Sequence, residues 1–349
     1  MFKLQKAVLL YTAVITIAAV SQGQPIVADH NSASEFFDIP QSAIEQAKAE
    51  LHIAYGHTSH GSQLITGMDG LVGFMNGLGY PTNLYAWNNG GSGGALDLRD
   101  TPFSGASDLG NPDRVAWEAS TRTYLNSHPD VNVIIWSWCW QVDGTESDIS
   151  LYLNLMSGLE QDYPNVKFVY MTGHLSGAGA TGNVNIRNNQ IRAYCIANNK
   201  ILYDFADIES YDPDGLVNYM ALFANDNCDY DSDNNGSLDR NWALVWQGTH
   251  AENVDWYNCY PAHSQALNGN RKAYAAWWLW ARLAGWGGVI DANCPNLDGF
   301  STVNFGDFAV LAEDWQVSDS NLAGDIDENG KVDANDLEVI SYYWLQECN

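Results

Sequence analysis

The stretch Leu51-His52-Ile53-Ala54-Tyr55-Gly56-His57-Thr58-Ser59-His60-Gly61-Ser62 decides how the chain is read. Its apolar first half predicts a buried strand, and a turn of glycine, hydroxyls and two histidines ends it. The run Gln63, Leu64, Ile65, Met68, Leu71 and Val72 then predicts a helix. Strand, tight turn and helix in that order lift a short side chain to the carboxyl edge of an α/β sheet. There it lies beside a helix N-terminus, whose free N–H groups favour an anionic intermediate. Ser59 is the candidate nucleophile; the same spacing also fits a Ser/Gly turn that only caps the helix.

The pattern continues outward. Residues 83–87 predict a second strand, running into Gly90-Gly91-Ser92-Gly93-Gly94, where backbone N–H groups can approach a ligand closely; a surface turn is the plainer reading. A helix over 112–127 leads to the near-continuous apolar run 131–141, as a central parallel strand requires. A helix over 149–163, a strand over 166–172 closing on Gly173-His174, a helix over 185–198 and a strand over 201–205 follow. Such alternation predicts an α/β class with a mostly parallel sheet, whose ligands sit at the carboxyl ends of the strands. Ser59, Gln141 and His174 all fall at such ends. The last helix, 270–284, carries Trp277, Trp278 and Trp280 and reads as core. His263, just before it, is the candidate general base, with a capping role as the alternative, and Asp255 lies eight residues earlier.

Composition bounds the rest. A chain of 349 residues with 46% hydrophobic content suits one large domain, at 24–288, and a smaller module at 291–349. Residues 1–23 read as a secretory signal peptide: Lys3 and Lys6 precede the apolar run 7–20, and small residues precede the expected cut. With no second such run, the mature chain is expected to be exported, extracellular and without a transmembrane segment. Loss of the two lysines takes the formal charge from −27 to about −29, which disfavours nucleic acid and anionic lipid and attracts cations. Six cysteines in an exported chain predict disulfides; position suggests Cys294 with Cys348, Cys228 with Cys259 and Cys139 with Cys195.

The acid is concentrated in loops. In the Asp-rich loop 225–241, Asp229, Asp231, Asp233 and Asn235 alternate before Gly236, like half of a calcium loop, but Trp242 stands where the closing acid belongs. Beyond 291 the sequence repeats at a spacing of 29, pairing Asp298 with Asp327, Asp307 with Asp336 and Trp315 with Trp344. The second copy supplies Asp325, Asp327 and Asn329, a turn at Gly330, the Lys331 carbonyl and a closing Asp336. The first offers Asn296, Asp298, Asn304 and Asp307, with Phe300 and Ser301 in place of a ligand and the glycine.

This paired segment, about 293–348, resembles a divergent dockerin type I module. The resemblance implies bound Ca²⁺ and attachment to a cohesin-like or cell-surface partner. The sheet domain, about 45–288, distantly resembles an SGNH (GDSL-like) hydrolase. That resemblance implies a flavodoxin-like, mostly parallel sheet with helices on both faces. Ser59 matches the family nucleophile and His263 its base, while Tyr260 replaces the family Asp and Gln141 the family Asn. It leads to an expected secreted carbohydrate esterase or deacetylase acting on acylated polysaccharide. Ser59 would attack, His263 would take its proton, and Asp255 would orient the ring. Gly91 and Gln141 would stabilise the oxyanion beside the Ser59 N–H, with His57 and His174 in the binding site. Two alternatives stand beside it. One is a non-catalytic glycan-binding or attachment protein using some of the 14 tryptophans and 18 tyrosines. The other is a metal-dependent hydrolase built on His57, His60 and His174.

Overall fold

The computed structural model describes residues 25–288, 294–298, 303–319, 322–327 and 329–344. The signal segment 1–23, Phe300, Ser301 and Cys348 lie outside the described residues. Seven strands form one parallel sheet: β1 (Val27–Ala28), β2 (His52–Gly56), β3 (Trp87–Asn88), β4 (Leu96–Asp100), β5 (Val133–Trp136), β6 (Lys167–Met171) and β7 (Ile201–Tyr203). Their spatial order is β1-β7-β6-β5-β2-β4-β3. The inner five strands follow the flavodoxin-like order, with the reversal between β2 and β5.

Period-two alternation sorts the strand residues onto two cores. Ile53, Tyr55, Val133 and Ile135 face one layer, packed by the helices Gln41–Glu50, Ser62–Gly77 and Ala266–Leu283. Ala54, Ile134 and Trp136 face the other, packed by Ala116–Ser127, Glu146–Asp162 and Asn183–Ala197. The helix Ala266–Leu283 is buried along nearly its whole length, including Trp277 and Trp280. No helix among the described residues is long and apolar enough to cross a membrane.

Several sequence expectations change. The strand placed at 83–87 shrinks to the edge pair Trp87–Asn88, and Leu96–Asp100, not anticipated, takes the place beside β2. Its polar alternation hid it: Asp97 and Arg99 are both buried because they pair with each other at 2.8 Å. The run 131–141 leaves the ladder after Trp136, where Trp138 turns inward and donates from Nε1 to the Met171 carbonyl (2.9 Å). Cys139, Cys195, Cys228 and Cys259 are free thiols, which removes two of the three suggested disulfides. The third, Cys294 with Cys348, falls on a residue outside those described. Near the C-terminus, the helices Phe305–Glu313 and Ala334–Tyr342 follow the two acidic loops, and Val303, Leu311, Val332 and Ile340 pack together.

Candidate active site

The turn after β2 is set by two glycines. A Cβ on Gly56 would lie 2.2 Å from the Trp136 ring, and one on Gly61 would lie 2.3 Å from Ser137 Oγ and 2.4 Å from His57 Cβ. With those positions closed to larger residues, β2 passes flush against β5 and the turn folds His60 inward, where it is almost fully buried.

His60 meets Cys139, three residues past the end of β5: its Nδ1 lies 3.3 Å from Cys139 Sγ. Its Nε2 lies 3.0 Å from Asp226 Oδ2. Thiol, imidazole and carboxylate thus form one chain across the point where the strand order reverses. Asp226 belongs to a loop tied to the end of β6, since Gly177 donates to Ala224 O (3.0 Å) and Ser176 bridges to Asn225.

The electrostatics follow from these contacts. Burial disfavours a charged His60, but hydrogen bonds to Asp226 and Cys139 outweigh it and push its pKa up to about 9. The His60 contact in turn holds the Cys139 thiol below its usual range, helped by the Trp140 backbone N–H and the Thr58 hydroxyl. Burial works to raise Asp226, yet His60 leaves it below the usual carboxylate value. All three shifts favour a thiolate, an imidazolium and a carboxylate in a row.

Two further imidazoles stack on His60. His174 lies parallel at 3.9 Å and 7°, and His263 at 4.9 Å and 24°. His174 points Nδ1 at the Leu175 carbonyl (2.7 Å), and burial followed by the His60 charge lowers its pKa, so it stacks as the neutral ring. His263 adopts a left-handed backbone (φ 60°), a conformation that costs a non-glycine residue energy and is over-represented at working sites. A buried relay holds these rings in place. Lys272 donates to Glu209 Oε2 (2.5 Å) and to Gln63 Oε1. Glu209 accepts from the Leu175 N–H (3.0 Å), and Gln63 donates to the Ala262 carbonyl beside His263 (2.6 Å).

Other expected residues fall around or away from this chain. Ser59 sits on the same turn, with its carbonyl accepting from Ser62 Oγ (2.7 Å); among the described residues its hydroxyl makes no hydrogen bond to His263. His57 turns away from the thiol, with Nε2 on Asp100 (2.6 Å) and Nδ1 on the Thr58 carbonyl (3.0 Å). It lines a cleft of about 290 Å³ with Thr58, floored by the stacked rings of Phe103 and Trp136 (4.2 Å). Gln141 packs under Gly110, and its Oε1 is buried without a partner. Gly91 sits at the opposite, amino edge of the sheet, packed on Asp97, which is in register with the first residue of β2. It is therefore no oxyanion donor for this turn. Asp255 accepts from Ala251 in its own loop (2.8 Å) and does not orient His263.

Sequence reasoning has His60 only as a candidate metal ligand, His174 as a binding-site or metal residue and Cys139 as a disulfide partner, and it misses Asp226 altogether. A metal is a fair question, because His60, His174 and Asp226 hold ligand atoms within 4.8 Å of one another. Imidazole binds metal in its own plane, at about 2.0–2.1 Å. Parallel rings 3.9 Å apart send their lone pairs along near-parallel lines, so one ring must turn before both reach one ion.

The acidic loops divide. In 225–241 the acids fold the loop itself: Asp231 accepts from Asn235 and Gly236, and Asp229 from Asn227 and Asn241. Asn235 caps Ser237 (2.9 Å) and Asp233 is exposed. Further on, Asp325, Asp327 and Asp336 converge within 4.8 Å, and Asp325 Oδ1 is buried without a hydrogen-bond partner, which fits a hard cation. Asn296 Oδ1 is likewise buried and unpartnered, at the matching place in the first copy. Asp307 and Asp336 are fully buried and accept backbone N–H groups of their own loops.

No protein-family model, curated protein or solved structure matches the chain. The chemistry of the site therefore stands on its geometry alone.

Proposed function

We propose that the chain is a secreted acyl-ester hydrolase acting on acylated glycans, with Cys139 rather than Ser59 as nucleophile. The observation that carries this reading is the Cys139–His60–Asp226 chain at the reversal point of the sheet. The Cys139 thiolate attacks the acyl carbonyl carbon. The tetrahedral intermediate collapses as the His60 imidazolium gives its Nδ1 proton to the departing alkoxide, leaving a thioester on Sγ. Water, deprotonated by the now neutral His60, attacks that thioester; the acid leaves and the thiolate returns with its imidazolium. Asp226 holds the His60 ring and supports its charged form throughout.

A glycan substrate is supported by Trp140, which is 57% exposed beside Cys139 and presents an edge-to-face contact to His174 (4.6 Å). A sugar ring packs well on such a surface. The tail completes the proposal. Asp325, Asp327 and Asp336, with Asn329 and the Lys331 carbonyl, would hold Ca²⁺, whose charge would tie the loop ends together and steady a surface for a cohesin-like or cell-surface partner.

Acetate release from acetylated xylan tests the assignment. Cys139→Ala should lower kcat/KM by about 10³-fold or more, whereas Ser59→Ala should stay within a few-fold of the parent. The reverse pattern would restore the serine mechanism. Binding of acetylated xylan with no acetate released by the parent protein would favour the glycan-binding alternative.

A further inference from the structure

A second cavity, of about 300 Å³, opens where the helices His30–Ser34, Trp242–Gln247 and Ala266–Leu283 come together. It shares no lining residue with the thiol site. Its walls are largely apolar and aromatic, with Phe37, Trp246, Leu267 and Tyr274 among them. At its back stands Arg271, one position from Lys272 and about 100° round the same helix.

Arg271 is 2% exposed, and its hydrogen bond is to a neutral acceptor, from Nη2 to the His30 carbonyl at 3.1 Å. Its Nε finds no partner, nor does the Tyr274 hydroxyl, one helical turn along and lining the same cavity. The nearby carboxylates of Asp212, Asp207 and Asp29 act on Arg271 through space, but among the described residues their hydrogen bonds go to other groups. Asp207 accepts from His30 Nδ1 (2.5 Å), Asp212 from Tyr219 Oη (2.7 Å) and Asp29 from Asn31 and Ser32 (3.0 Å each). Asp255, at the exposed rim, accepts from Ala251. Burying a guanidinium without an anion is strongly unfavourable, and its planar fork of donors matches a carboxylate. Here the residues that carry the unpaired donors line a cavity whose other walls include the rings of Phe37 and Trp246.

We propose that this cavity is a binding site for a carboxylate carried on a ring. The carboxylate pairs with Arg271 and accepts from Tyr274 Oη, and the ring packs against Trp246 and Phe37. Two kinds of molecule share that chemistry, a uronic acid and an aromatic acid. The site is independent of the thiol chemistry, so Cys139→Ser should leave it intact.

Calorimetric titration of the full chain with glucuronate, benzoate and glucose separates the cases. Saturable 1:1 binding of glucuronate assigns a uronic acid, and preference for benzoate assigns an aromatic acid; glucose should give no binding in either case. Tyr274→Phe keeps the ring and removes one donor to a charged group, so it should weaken the acid about tenfold. Arg271→Gln should weaken it by about 30-fold or more; if that variant does not fold, Tyr274→Phe decides. Glucose binding as well as glucuronate, no binding of either acid, or unchanged affinity in Tyr274→Phe would overturn the proposal.

Discussion

Lys272 and Glu209 show what a single pair of side chains does for the site. Both are completely buried, and they face each other at 2.5 Å. Such a pair adds little net stability over an apolar pair of equal size, but removing one partner strands the other charge. Lys272→Met should therefore cost roughly 3–5 kcal/mol in chemical denaturation, and the double variant with Glu209→Gln should recover a large part of it. Equal losses in the single and double variants would show that the pair is not coupled. What the pair supports is position: its hydrogen bonds reach the Leu175 N–H beside His174 and, through Gln63, the loop of His263. Residues of this kind are poorly legible in a sequence. Lys272 sits in a helix whose pattern announces only burial, and Asp226 reaches His60 across 166 positions. Cys139 was given to a disulfide because the count of cysteines was even, though its true neighbour is an imidazole.

The elements were easier to read than the site they carry. Alternating apolar runs and amphipathic stretches marked β2, β5, β6, β7 and most of the flanking helices, because strands buried on both faces must be apolar throughout. β4 escaped because its buried Asp97–Arg99 pair mimics a surface pattern. The turn after β2 was recognised, yet which of Ser59 and His60 points inward depends on the backbone path through His57 to Gly61, and residue types alone do not specify that. Gly61 sets the path, since an added Cβ there would meet Ser137 Oγ, His57 Cβ and Tyr55 Oη within 2.6 Å. Gly61→Ala should push the turn outward, lower stability by about 1–3 kcal/mol and slow Cys139 alkylation by lengthening its contact with His60. Thermal melting together with alkylation rates checks this; an alanine variant matching the parent in both would mean that the turn is not held by that close approach.

At the scale of the whole molecule, the formal charge of −27 is a standing repulsion that bound cations relieve. The convergence of Asp325, Asp327 and Asp336 brings three carboxylates together in one loop. Millimolar Ca²⁺ should therefore protect the C-terminal segment from limited proteolysis, and Asp325→Ala should abolish that protection without changing the melting of the sheet domain. Protection that is equal in chelator and in Ca²⁺ would count against the loop as a cation site. The sheet, the thiol chain and the arginine cavity all lie within residues 25–288, outside that loop.

The central claim is that the His60 contact lowers the pKa of Cys139, and the pH dependence of its alkylation tests this most directly. Iodoacetamide labelling of the full chain, followed peptide by peptide, reads each thiol separately, and burial pushes Cys195, Cys228 and Cys259 upward and out of competition. Because the shift is downward, the midpoint of Cys139 alkylation should lie below that of an ordinary thiol, with reactivity lost as pH falls through it, and His60→Gln should move that midpoint up toward the ordinary thiol range. A Cys139 midpoint at the ordinary thiol value in the parent, unchanged by His60→Gln, would contradict the account.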